Sequence, residues 1–386
     1  MLNKLLLLGL TLVGAFCKSQ NYPLFGPEKK VTINGLSFDA MEPFISLTGD
    51  TLFFNSLNSG GNTNLHYATK VDDTTFNYVG LVAGTYDSSP DHLDAVASID
   101  SANNFFWVSL RDFPNLYHGN YSAGTVSNIK KTYGNFNIFT PGWIIMDAAI
   151  SYQGDLLYYC NAYFGPTFTE CPGAPCEARL GVAQKDNDST FSKLINSNDI
   201  FASVNDTNYI VYAPQVTKDG LELYYTRILD GTYNTEICVA VRNNINDPFG
   251  NPIVIYDNYG FFPEAASPTT DKQKIYYHQK NIGGTYEIYL RYRIGTSSIK
   301  EPISNQIFTV FPNPTHGIIN FSLPNYENQL YVKIYTLQGQ EIISTSVESS
   351  IDISHLQNGC YVLQIFSINA DNIDSFNSNK FLIYRE

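Results

Sequence analysis

The stretch Glu42–Ser56, EPFISLTGDTLFFNS, decides the fold. A short apolar run enters a Gly-Asp turn, and a second run leaves it and ends in two adjacent aromatics, Phe53 and Phe54. Alternation with period two and hairpin turn chemistry mark a strand–turn–strand unit. The unit returns as DAVASIDSANNFFWVS from Asp94, DAAISYQGDLLYYCN from Asp147, APQVTKDGLELYYTR from Ala213 and EAASPTTDKQKIYYH from Glu264. The starts are 52, 53, 66 and 51 residues apart. Each copy keeps its aromatic pair: Phe106-Trp107, Tyr158-Tyr159, Tyr224-Tyr225 and Tyr276-Tyr277. A further strand-like segment follows each copy, beginning at Asn62, Asn115, Glu177, Asn234 and Thr285.

Four-strand units of about fifty residues are the signature of a β-propeller, in which each unit buries its faces only by stacking on its neighbours. Convincing helical periodicity is nearly absent, so the chain reads as all-β. Residues 21–293 are expected to form a five-bladed β-propeller. The fifth unit lacks an outermost strand after Arg293, while the strand-like Lys30–Asn34 precedes the first unit without one of its own. That segment is expected to complete the last blade and close the ring, leaving only short edges. The long third interval reflects an insertion between Asn161 and Glu177, which should project from one face. The order acid, Pro, apolar, Ser, Gly-Asp, aromatic pair resembles the PD40 repeats of WD40-like, TolB-type propellers. The resemblance implies the fold and leaves the function open, because propellers host binding, scaffolding and hydrolysis alike.

Composition narrows the classes. Charged residues are 15% of the chain, against roughly 25% in ordinary soluble domains, and the formal net charge is −13. Such a chain repels nucleic acid and anionic membranes, and no basic cluster offsets the charge. Aromatics reach 14%, with 28 Tyr and 25 Phe but only 2 Trp. Strand packing is their first explanation and sugar-ring platforms the second. Residues 1–20 read as a signal peptide: Lys4 lies in a short basic start, Leu5–Phe16 is apolar, and cleavage is expected between Ala15 and Asn21. The remainder is expected to carry no transmembrane span. Export permits disulfides, and Cys171 with Cys176, closing CPGAPC, is the best candidate pair, with Cys160 as competitor.

The unit starts supply candidate chemistry. Glu42, Asp94, Asp147 and Glu264 would stand near the central channel, with Ala213 in the remaining copy. Glycoside hydrolysis needs two carboxylates, and mutual repulsion in a ring would raise one pKa. Glu42-Pro43 is similar to the Asp-Pro that opens inner strands of five-bladed glycosidases, which makes Glu42, Asp147 and Glu264 the candidate catalytic set. Asp94 is a candidate binding residue of the channel lining. Against this, an acid before the strand is also part of the repeat and serves turn hydrogen bonds. No GxSxG, HExxH, CxxC, Walker or dinucleotide pattern occurs, so no metal and no cofactor is expected. Lys185–Ser189 hints at a calcium loop but reads better as a polar hairpin.

After a polar linker over 294–305 the repeat gives way to FPNPTHG from Phe311, VKIYTLQGQEI from Val332, IDISHLQNGCYVLQI from Ile351 and KFLIYRE from Lys380. Short strands between turns suggest a small immunoglobulin-like β-sandwich over 306–386. The four motifs, in this order, resemble the type A C-terminal sorting domain of the type IX secretion system of Bacteroidetes. Phe311, Pro312, Asn313, Pro314, Gly317, Gly339, Gly359 and Tyr361 occupy the motif positions, while Thr336 replaces the usual Asp. The resemblance implies passage through the type IX secretion machinery, to the medium or the cell surface. The expected function is a binding module for a glycan or protein ligand at the channel mouth, near the insertion. The alternatives are a glycoside hydrolase or lyase and a structural envelope component.

Overall fold

The computed structural model describes residues 24–294 and 309–384, apart from 59–61, 87–88, 90–91, 169, 172, 259, 323–329, 337–340, 348, 369–372 and 376–378. The expected signal peptide, most of the linker and Gly339 lie outside the described residues. The chain forms two compact units, Met1–Thr296 and Ser297–Glu386. It is an all-β, propeller-like fold, and Ser197–Ile200 is the one α-helix among the described residues. No described helix is long and apolar enough to cross a membrane.

The first unit contains five sheets in chain order. Their inner strands are Met41–Ile45, Asp94–Ile99, Trp143–Ile150, Tyr209–Val216 and Glu264–Pro268, each hairpin-paired to the strand that carries the aromatic pair. Consecutive strand residues face opposite ways. Each aromatic pair therefore sends one ring into each neighbouring gap. Phe53 shares a core with Trp107, Phe106 with Tyr159, Tyr158 with Tyr225, Tyr224 with Tyr277, and Tyr276 with Phe54. Five cores thus join five sheets in a closed cycle. All ten rings are at most 2% exposed, so packing accounts for them.

Closure departs from expectation in one respect. Leu24–Phe25 and Lys29–Lys30 pair with Tyr286–Ile294 of the fifth sheet, but Thr32–Asn34 runs parallel to Thr75–Leu81 of the first. The crossing comes at Val31, which is buried, and whose N–H still bonds Ile288 O at 2.9 Å. A single segment therefore binds both flanks of the join. Glu28 reinforces it by accepting from Tyr277 Oη at 2.9 Å and Gln279 Nε2 at 3.1 Å.

The second unit holds two sheets around one core of Ile319, Val332, Ile334, Ile353, Leu363, Ile365, Phe381 and Ile383, among others. Its proline motif acts locally. Asn313 Oδ1 accepts the Leu382 N–H at 2.9 Å, and the Thr315 N–H bonds Leu382 O at 2.8 Å. FPNPT thus ties the start of the unit to its last strand. Gly317 passes Ser354 so closely that a Cβ would stand 3.3 Å from Ser354 Cβ. Tyr361 stacks on Phe381 with centroids 5.7 Å apart, and its hydroxyl donates to Gln357 O at 2.9 Å. Phe311 is 49% exposed.

Candidate functional site

Two clusters lie at the end of the ring where the inner strands begin. The first is axial. Each inner strand carries a bulge before its turn, between Met41/Phe44, Ala95/Ser98, Ile145/Asp147, Tyr212/Gln215 and Glu264/Ser267. The turns themselves are closed by the N–H groups of Ser46, Asp100, Ser151, Thr217 and Thr269. Four residues before these stand Glu42, Val96, Asp147, Ala213 and Ala265, the residues that share the axial position. All but Asp147 have positive φ, from 51° to 58°, a strained conformation for a β-branched residue such as Val96.

This register corrects the ring of four acids expected from sequence. Asp94 falls two residues early and is buried, paired to Arg111 Nη2 at 2.6 Å and accepting from Trp107 Nε1 at 3.3 Å. It does not border the axial cavity, where Val96 takes its place. The second turn is one residue shorter than the others, which accounts for one of the two residues. Glu264 falls one residue early and does not border the axial cavity either, but its charge still acts on Glu42 and Asp147, and its Oε2 lies 3.6 Å from His278 Nε2.

Glu42, Asp147 and Glu264 are brought together. Burial pushes the Glu42 carboxyl up to about 8, helped by repulsion from Asp147 and Glu264 and opposed by Asn58, whose amide donates at 3.0 Å. Burial also raises Asp147, to about 7, opposed by the Ala213 N–H and helped by Glu264. Burial and Glu264, its hydrogen-bond partner, hold the Tyr212 hydroxyl well above its usual range.

The bulge amides explain much of this chemistry. The Glu42 N–H donates to His278 Nδ1 at 3.0 Å, and the Ala265 N–H to Thr226 Oγ1 at 3.0 Å. The Ala213 N–H donates to Asp147 Oδ2 at 3.1 Å and the Val96 N–H to Asn55 Oδ1 at 3.5 Å. In the remaining gap Asn115 accepts the Ile145 N–H at 3.0 Å and donates to Ile145 O at 2.7 Å. Every gap is thus bridged by a side chain of one sheet satisfying backbone of the next. Asp147 does what Thr226, His278 and Asn55 do elsewhere. Because Nδ1 of His278 accepts, its proton is assigned to Nε2, facing Glu264.

The axial cavity between Glu42, Val96, Asp147, Ala213 and Ala265 is about 10 Å³, room for one water. Toward the turns Ile45, Ile99, Ile150, Val216 and Pro268, one from each sheet, border a cavity of about 30 Å³. No metal-binding group of three His, Cys, Asp or Glu occurs among the described residues.

The second cluster is a groove of about 550 Å³ between loops of the second and third sheets, lined by Leu110, Phe113, Ile138, Phe139, Trp143 and Phe168. Phe139 is 71% and Phe168 52% exposed. Phe113 and Phe139 meet edge to face at 5.1 Å, and Trp143 stacks on Tyr163 at 5.2 Å. Phe168 belongs to the insertion, where Cys171 and Cys176 are disulfide-bonded; Cys160, Cys238 and Cys360 are free. Gly142 (φ +90°) lets the insertion approach: a Cβ there would lie 2.3 Å from Gly165 O. The ligand was expected at the channel mouth near this insertion; the axial cavity is only about 10 Å³, the groove lies beside the insertion, and none of its rings was named. The cue was an apolar cluster, IFTPGW over 138–143, in loop rather than strand.

Residues 309–376 match the family model of a secretion system C-terminal sorting domain. Such a tail implies handling by the type IX secretion machinery and indicates secretion or an outer-surface location. No curated protein matches the sequence. Similar solved structures include one titled a glycoside hydrolase, at 11% identity over 72% of this chain and 94% of that one, TM-score 0.48. Another is the family 117 glycoside hydrolase Zg3597 of Zobellia galactanivorans, at 14% identity, 70% and 90% coverage and TM-score 0.44. A third is the catalytic domain of the GH62 α-L-arabinofuranosidase of Coprinopsis cinerea, at 12% identity, 70% and 96% coverage and TM-score 0.43. At these scores the likenesses decide nothing about activity.

Proposed function

We propose that the chain is a non-catalytic binding module: a five-bladed propeller of PD40-like repeats, exported behind a cleaved signal peptide and carried outward by an immunoglobulin-like sorting sandwich. Its ligand, a glycan or protein, is held in the aromatic groove at the cell surface or in the medium. The observation that carries this reading is the groove itself, about 550 Å³ in volume and walled by rings that stay exposed although Phe139 meets Phe113 and Phe168 stacks on Phe164. The size is that of a ligand site, whereas the axial cavity holds a water.

A second reading, a glycoside hydrolase or lyase, draws on the convergence of Glu42, Asp147 and Glu264 and on two carboxyl groups that burial pushes up to about 8 and about 7. A glycan array and a chromogenic glycoside panel applied to the full chain separate the two. Binding without turnover supports the module. Turnover abolished by Glu42→Gln, Asp147→Asn and Glu264→Gln would establish the enzyme, and turnover that survives all three would place any catalysis elsewhere.

A further inference from the structure

We propose that the groove takes an apolar, aromatic-bearing peptide segment of a partner protein whose flanks are neutral or basic. The inference rests on the binding reading above and names its ligand class. Sugar rings bring hydroxyl groups that must be paired once they leave water. The groove offers few polar groups that are not already engaged. Asn115 spends both ends of its amide on Ile145, and Asp112 is paired to Lys131 while accepting the Phe113 N–H at 2.8 Å. The two most exposed rings, Phe139 and Phe168, carry no hydroxyl or indole N–H; among the lining rings only the half-buried Trp143 does.

Openness argues in the same direction. A small apolar solute on Phe139 and Phe168 would leave those rings largely wet, since they are 71% and 52% exposed. A side chain carried on a larger partner covers the groove and its rim together, as buried anchors ringed by excluding contacts do at protein interfaces. Charge sets the flanks. Asp112 is balanced by Lys131, but the chain as a whole carries −13, so acidic flanks are repelled and basic ones drawn in.

The test pans a phage library of random dodecapeptides against the immobilised full-length chain, counter-selecting on a Phe139→Ser/Phe168→Ser variant. Selected peptides are then synthesised and titrated, with tryptophan emission as readout. Trp143 lies in the groove, and the other tryptophan, Trp107, is buried and silent. Aromatic and aliphatic sequences with Lys or Arg flanks are expected, losing about tenfold or more in affinity on the double variant. Replacing the flanking Lys by Glu should weaken them further, while neutral hexasaccharides leave the emission unchanged. Should the double variant fail to fold, Phe139→Lys, at the more exposed ring, gives the same comparison. Hexasaccharide binding lost in the variant overturns the peptide assignment and leaves the binding module standing. Peptides that bind wild type and variant equally overturn the groove as their site. If neither peptide nor sugar distinguishes the two proteins, both readings fall.

Discussion

The axial acids and the aromatic groove lie at the same end of the ring and differ in what the fold asks of them. Asp147 is 2% exposed and holds the amide of a neighbouring sheet; removing it would leave a buried N–H without a partner. Phe139 is 71% exposed and meets, edge to face, a Phe113 that is itself 36% exposed. Carboxylates crowded on an axis look like chemistry, yet four other side chains, Asn55, Asn115, Thr226 and His278, bridge the other gaps in the same way. Exposed rings look like surface accident, yet ten of their kind in this unit are at most 2% exposed. The difference teaches that a residue already used by the fold is weak testimony about function, and an unused one is strong.

The contrast can be broken most severely at a buried ring. Phe53→Ala should cost about 3–5 kcal/mol in urea unfolding, because it empties the core shared by the first and second sheets. A loss under about 1 kcal/mol would mean the aromatic pairs do not hold the sheets together. Next comes Thr226→Val, which keeps the shape and removes the acceptor of the Ala265 N–H; about 1–3 kcal/mol should be lost, with groove binding unchanged.

The acids themselves are tested by pH. Glu42 and Asp147 titrate higher in the fold than in the unfolded chain, so the folded state binds more protons between their ordinary values near 4 and about 8. Their contribution is fully present below that window and is lost as pH rises through it. Stability should therefore fall with rising pH, by at most about 1.4 kcal/mol per pH unit for each proton. Glu42→Gln should flatten the slope; an unaltered slope would show that Glu42 does not carry the proton. The smallest effect on stability belongs to Phe139→Ser, within about 0.5 kcal/mol, although it should remove ligand binding.

Much of this was legible in the sequence, for physical reasons. The five units showed because period-two alternation and paired aromatics are what a doubly packed strand requires. The tail motif showed because its residues have single tasks, such as Asn313 reaching the Leu382 amide. The axial position was misread because sequence carries no hydrogen-bond register: the bulges and the shorter second turn moved Asp94 off the axis and put Val96 there. The closing segment was placed only in part, since its switch from the fifth sheet to the first occurs within a few residues. The groove was invisible because its rings come from separate loops that only folding assembles.

The join between Leu24–Phe25 and Tyr286–Ile294 has a consequence for a chain synthesised from its N-terminus. Its first strand has no partner until the last of the ring has emerged. Every shorter length is an open arc with a missing core and bare edges at both ends. Closure of the ring therefore comes last, once Tyr286–Ile294 is in place.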